Sequence, residues 1–177
     1  PADMLVYVQP ANATEEQQKQ VGTNTTNGEA AGVQQGDKIN LTGTIDAKTV
    51  KTQMAAIEAQ FGNPSDLSSI RLSDLSSAFT ATFTVPEGLT LPANLSAATV
   101  VPTGFADTFS VSEVTPATDG KSVTVTFALK DGITNYKQLH DAVNLLADTM
   151  KLTVPGITVN EDVADGATLT TVGTVTG

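Results

Sequence analysis

The chain contains one phrase twice. Thr84-Val85-Pro86-Glu87-Gly88-Leu89-Thr90-Leu91 returns as Thr153-Val154-Pro155-Gly156-Ile157-Thr158-Val159, one residue shorter, and Ala98-Thr99-Val100 with Gly104 returns as Ala167-Thr168-Leu169 with Gly173. Internal repetition limits the folds open to a chain, because each copy must place its apolar residues in an equivalent environment. It also favours modular surface and scaffold proteins over enzymes built round one site.

Patterning upstream of each copy extends the repeat. Lys38 to Ile45 alternates apolar and polar residues, with Ile39, Leu41 and Ile45 on one face of a strand. Asp46 is placed to cap a following helix whose apolar stripe is Val50, Met54, Ile57 and Phe61, and Gly62-Asn63-Pro64 is expected to end it. In the second half Val123, Val125, Phe127 and Leu129 alternate with Thr124, Thr126 and Ala128. After a turn at Asp131-Gly132, Tyr136, Leu139, Val143 and Leu146 trace one helix face. Phe79, Ala81, Phe83 and Val85 mark one further strand, and Met150, Leu152 and Val154 another. More strands are expected at Val100-Val101, over Phe105 to Val114 and over Leu169 to Val175, with Val-Pro-Glu-Gly and Val-Pro-Gly acting as strand terminators.

Two β-α-β-β units follow from this order. Lys38 and Lys121, which open the two units, are 83 positions apart, whereas Gly88 and Gly156 are 68 apart; the difference matches the Ser/Asp/Leu-rich stretch at residues 65–77 as a single insertion. The expected organisation is an N-terminal strand and polar linker over residues 1–35, a first unit over 36–115 and a second over 116–177. A unit of about 60 residues is marginal alone, so the two are expected to merge into one domain. The fold class is α+β and β-rich, with β-sandwich-like sheets and two helices packed on them.

Composition removes several chemistries. The chain has 177 residues and a net charge of −10, which disfavours nucleic acid and anionic lipid as partners. There is no cysteine, so disulfides, thiolate catalysis and zinc–thiolate or iron–sulfur sites are out. No apolar run approaches the ~20 residues of a membrane-spanning helix. The sequence opens at Pro1 without an initiator Met or a signal peptide, as expected of a piece cut from a longer protein.

Few residues offer site chemistry. His140 is the sole histidine and lies beside the apolar stripe of the second helix; with no G-x-S-x-G elbow it reads as a helix-surface side chain rather than a catalytic base. The densest acidic stretch is Asn160-Glu161-Asp162-Val163-Ala164-Asp165-Gly166. Its oxygens at Asn160, Asp162 and Asp165 are candidate ligands for Ca²⁺, although their spacing departs from the EF-hand and also suits a solvated turn. No pair of carboxylates can be placed at the separation a glycosidase needs, which leaves a carbohydrate-processing enzyme as a distant alternative.

Thr82 to Leu89, Pro116 to Phe127 and the closing Val172-Gly-Thr-Val-Thr-Gly177 resemble, in style and patterning, the repeat modules of wall-anchored adhesins of Gram-positive bacteria. The resemblance covers roughly residues 36–177. It implies an extracellular, cell-surface, non-catalytic structural or adhesion module, whose partners are neighbouring modules of the same polypeptide and a host extracellular protein or glycan. Neither nucleic-acid binding nor membrane insertion belongs to that picture, and the only ion to consider is Ca²⁺. Some modules of this class form a Lys–Asn isopeptide bond; Lys38 would be the natural donor, but the closing strand carries no Asn.

Overall fold

A computed structural model describes residues 2–11, 14–24, 28, 31–60, 69, 79–105 and 108–176. Eleven strands among them form two antiparallel sheets. In chain order they are β1 (Ala2–Asp3), β2 (Leu5–Pro10), β3 (Lys19–Gly22), β4 (Lys38–Asp46), β5 (Phe79–Thr84), β6 (Leu89–Thr90), β7 (Val101–Thr103), β8 (Phe109–Pro116), β9 (Ser122–Leu129), β10 (Thr149–Val159) and β11 (Val172–Thr176). Helices α1 (Ala47–Gln60) and α2 (Tyr136–Asn144) follow β4 and β9.

One sheet has the order β1-β11-β5-β9-β8. The other runs β3-β2-β4-β10-β6, with β7 on the same edge of β10 as β6. Each helix therefore carries the chain from one sheet to the other: β4 and β5 lie in different sheets, as do β9 and β10. The long pairings join early to late segments, β4 to β10 from Asp46↔Thr149 to Lys38↔Thr158, and β5 to β9 from Phe79↔Phe127 to Thr84↔Ser122. The chain's beginning and end also meet, with Ala2 opposite Val175 and Asp3 opposite Thr174.

The inner faces follow the alternation in the sequence. Ile39, Leu41 and Ile45 are buried from β4, Ala81 and Phe83 from β5 with Val85 just beyond it, and Val123, Val125 and Phe127 from β9. These side chains join Met4, Val6 and Val8 of β2 and Met150, Leu152 and Val154 of β10 in a single core cluster. Phe127, Phe79 and Phe105 form a cluster of near-parallel rings, with Phe127's centroid 4.7 Å from Phe79 and 4.8 Å from Phe105, and those two 6.5 Å apart.

Local chemistry sets the helices. Asp46 Oδ1 accepts from the Lys48 amide at 2.8 Å, the expected cap of α1, and Met54 is buried with Val50 packed against the core. Ile57's side chain, Phe61, Gly62-Asn63-Pro64 and residues 65–77 apart from Ser69 fall outside the described residues. α2 starts with a capping box: Asn135 Oδ1 accepts from the Gln138 amide at 2.9 Å while Gln138 Oε1 accepts from the Asn135 amide at 3.3 Å. Its Val143 and the following Leu146 are buried as the stripe predicts.

Four sequence expectations need correction. Val154-Pro155-Gly156 does not end a strand: β10 runs through it for 11 residues, with a register shift between Val154 and Ile157 that Gly156 accommodates at φ 79°. Its counterpart Gly88 has φ 102° and lies between the separate strands β5 and β6. The Lys38–Lys121 alignment also fails. An offset of 83 sets buried Ile39 and Leu41 against Ser122 and Thr124, which alternate with the buried residues of β9, and an odd offset always exchanges the two faces. The strand expected from Phe105 begins only at Phe109. Finally, Lys19–Gly22 lies in a stretch read as polar and irregular yet is a strand, held by pairing to β2.

Candidate functional site

The acidic turn after β10 was the strongest sequence candidate for an ion site. The structure separates its oxygens. Asn160 is tied toward β6, with its amide donating to Gly88 O at 2.8 Å and its Oδ1 accepting from Thr90 Oγ1 at 2.6 Å. Asp165 Oδ1 instead faces Gln35 Nε2 at 3.4 Å, and that amide also donates to Val163 O at 2.7 Å. Asp162 is exposed in the turn between them. Among the described residues no three His, Cys, Asp or Glu side chains gather in a way that could hold a metal ion. The turn's hydrogen bonds clip the segment at 163–165 to the loop at 34–37, where Gly36 N donates to Val159 O at 2.7 Å.

His140 has a partner that the sequence could not indicate. Its Nδ1 lies 2.7 Å from Glu58 Oε1, linking α2 to α1 across 82 positions of sequence. The Glu58 side chain is 12% exposed and that of His140 41%, so the contact sits at the edge of the helix pair. One turn earlier on α2, Lys137 Nζ donates to Asp141 Oδ2 at 2.9 Å; this hydrogen bond, with Lys137's charge, holds the Asp141 carboxyl below the ordinary aspartate range. Lys38 Nζ contacts Thr158 Oγ1 across the β4–β10 pair.

The most regular surface is the outer face of the five-stranded sheet. Thr80, Thr82 and Thr84 of β5 alternate with its inward residues, as do Ser122, Thr124 and Thr126 of β9 and Thr174 and Thr176 of β11. Pairing aligns them into rows: Thr115, Thr124, Thr82 and Thr174 stand side by side on four strands, and Thr126, Thr80 and Thr176 form the next row beside Glu113. Spacing is about 4.8 Å across the strands and about 6.8 Å along them. Thr82 and Thr124 hydroxyls are hydrogen-bonded at 3.2 Å. The alternating threonines are visible along each strand in the sequence. Their alignment is not, because it depends on which strands pair.

Comparison with protein families, with curated proteins and with solved structures returned no match. The protein is thus defined by its fold: it is β-rich, with two antiparallel sheets and two short α-helices among the described residues. Among the described residues no helix is long and apolar enough to cross a membrane.

Proposed function

We propose that this chain is an extracellular, non-catalytic adhesion module of a bacterial surface protein, built by duplication of one unit. The observation carrying the reading is the threonine-rich face. A chain of net charge −10 presents rows of neutral hydroxyl and methyl groups across four strands, flanked by Glu113 of β8 beside one row and Asp3 of β1 opposite Thr174 at the end of the other. Such a face suits a neutral, hydrogen-bonding partner, of which a host glycan is the leading example.

Strand order supports duplication. β4 pairs with β10 as β9 pairs with β5; β2 flanks β4 as β8 flanks β9; β6 and β7 flank β10 as β11 flanks β5. The repeat unit on this reading is β-β-α-β-β, one strand longer at its start than the sequence suggested, and its two halves are exchanged between the sheets. Of the stalk and adhesion roles, the pairing of residues 2–3 with 174–175 favours adhesion. Force applied across the two ends peels β1 and then β11 from the sheet edge, breaking hydrogen bonds in succession rather than together.

Binding of the domain to arrays of host glycans and matrix proteins tests the proposal. Thr82→Lys with Thr124→Lys, in a protein whose circular dichroism is unchanged, should abolish binding. Retained binding would remove the threonine face from the account, and a wild-type domain that binds nothing on either array would overturn the adhesion reading.

A further inference from the structure

Three Asp-Gly pairs lie in exposed turns: Asp119-Gly120, Asp131-Gly132 and Asp165-Gly166. The dipeptide is chemically labile. A glycine carries no side chain, so its amide nitrogen can reach the carboxyl carbon of the preceding aspartate and close a five-membered ring. In all three pairs the glycine has a positive φ, at 71°, 96° and 77°, with open space where a Cβ would stand. By sequence alone the three are equivalent candidates.

Their surroundings separate them. At the first pair both reacting groups are engaged: Asp119 Oδ1 accepts from the Lys121 amide at 2.9 Å, and the Gly120 amide donates to Ala117 O at 3.0 Å. Ring closure there must first break both bonds. At the third pair the carboxyl is tethered, with Asp165 Oδ1 facing Gln35 Nε2 at 3.4 Å. Asp131 differs from both. Among the described residues its carboxyl accepts no hydrogen bond and forms no ion pair, and the Gly132 amide donates none. The turn is closed outside the pair, by the Ile133 amide donating to Lys130 O at 3.3 Å.

We propose that Asp131-Gly132 is the site at which the folded chain converts spontaneously to isoaspartate. The Gly132 nitrogen attacks Asp131 Cγ and a C–N bond forms. One carboxyl oxygen leaves as water, taking the amide proton and a proton from solvent, and a succinimide remains. Water then adds to either ring carbonyl, the C–N bond to that carbonyl breaks, and the solvent proton is returned. Attack at Cγ restores aspartate. Attack at the main-chain carbonyl leaves the chain running through Cβ and Cγ, one carbon longer, with a free carboxylate on Cα. The net change is an isomerisation that consumes nothing. The added carbon falls inside the turn closed by Lys130 and Ile133, just before the Asn135 cap of α2.

This site does not depend on the adhesion reading. Incubation of the full folded chain at neutral pH and body temperature, followed by peptide mapping with electron-transfer fragmentation, provides the test. Isoaspartate at 131 should accumulate about fivefold faster than at 165, the worth of one hydrogen bond, and should be slowest at 119. In denaturant the three rates should converge, because the tethers are gone. Asp131→Glu, whose longer side chain would have to close a six-membered ring, should remove the modification from this turn and leave the other two sites unchanged. Absence of isoaspartate at 131, conversion as fast at 119 or 165 in the folded chain, or the same ranking in denaturant would overturn the proposal.

Discussion

Gly173 on β11 and Val6 on β2 meet across the two sheets so closely that a Cβ on Gly173 would lie 2.5 Å from Val6 Cγ2. The same Cβ would stand 2.8 Å from Met4 Cε and 3.0 Å from Met4 O. A methionine tip can swing away, but a β-branched side chain and a backbone carbonyl cannot. Gly173→Ala is therefore expected to destabilise the domain by about 1–3 kcal/mol through overpacking. Urea unfolding checks this, and Val6→Ala in the same chain should recover part of the loss. A Gly173→Ala protein as stable as wild type would contradict the packing.

Phe127 tests the core from the other side. It is fully buried and packs against the rings of Phe79 and Phe105, which reach it from β5 and from the segment after β7. Phe127→Ala removes both ring contacts and leaves a cavity, at an expected cost of about 3–5 kcal/mol. Phe127→Leu should cost less, since it keeps most of the apolar volume. A Phe127→Leu protein as stable as wild type in chemical denaturation would show that the stacked rings contribute nothing beyond their bulk.

The contact between Glu58 and His140 is suited to a double-mutant cycle. Glu58→Ala and His140→Ala each remove one partner, and the pair should show a coupling of about 0.5–1.5 kcal/mol at neutral pH, the worth of one partly buried hydrogen bond. Zero coupling would mean that α1 and α2 are held together by their apolar faces alone.

Acid should abolish one surface contribution with a defined sign. Because Lys137 lowers the Asp141 pKa in the folded state, this pair stabilises the protein at pH values above the ordinary aspartate range. The contribution fades as pH falls through that range toward the lower folded value. Asp141→Asn should thus lower Tm at neutral pH and leave it unchanged at pH values where the wild-type carboxyl is already protonated. The Lys137 and Asp141 side chains are exposed, so the effect should be small and should shrink with added salt. A difference in Tm that persists undiminished into strong acid would rule out the ionic origin.

The threonine rows and the buried Thr171 show two ways in which a residue's meaning depends on distant parts of the chain. Thr82 reads as one outward position on an alternating strand. It becomes part of a surface only because β5 lies between β9 and β11, drawn from sequence about 40 and 90 positions later. Thr171 reads as part of a final strand from Leu169, but β11 begins only at Val172, and Thr171 is buried where Val21 and Gly22 approach it. The acidic turn shows the reverse. Asn160, Asp162 and Asp165 are close in sequence, yet Thr90 and Gln35 draw Asn160 and Asp165 toward different neighbours.

What the chain determines locally is the identity of most elements. The period-two burial of β4, β5 and β9, the Asp46 cap and the apolar face of α2 all arise from residues within a few positions of one another. A backbone dihedral and a side-chain direction need no knowledge of distant chain. Tertiary structure alone decided that β4 joins β10 while β9 joins β5, that β10 passes through Pro155-Gly156 without ending, and that Lys19–Gly22 becomes a strand. Each outcome depends on finding a partner strand outside the segment itself, near in the chain for Lys19–Gly22 and far for the others, and the partner is selected by which arrangement buries both inner faces together. The repeated Val-Pro phrase was legible from the start; the exchange of strands between the two halves was not, because strand order is a property of the packed sheets rather than of either phrase.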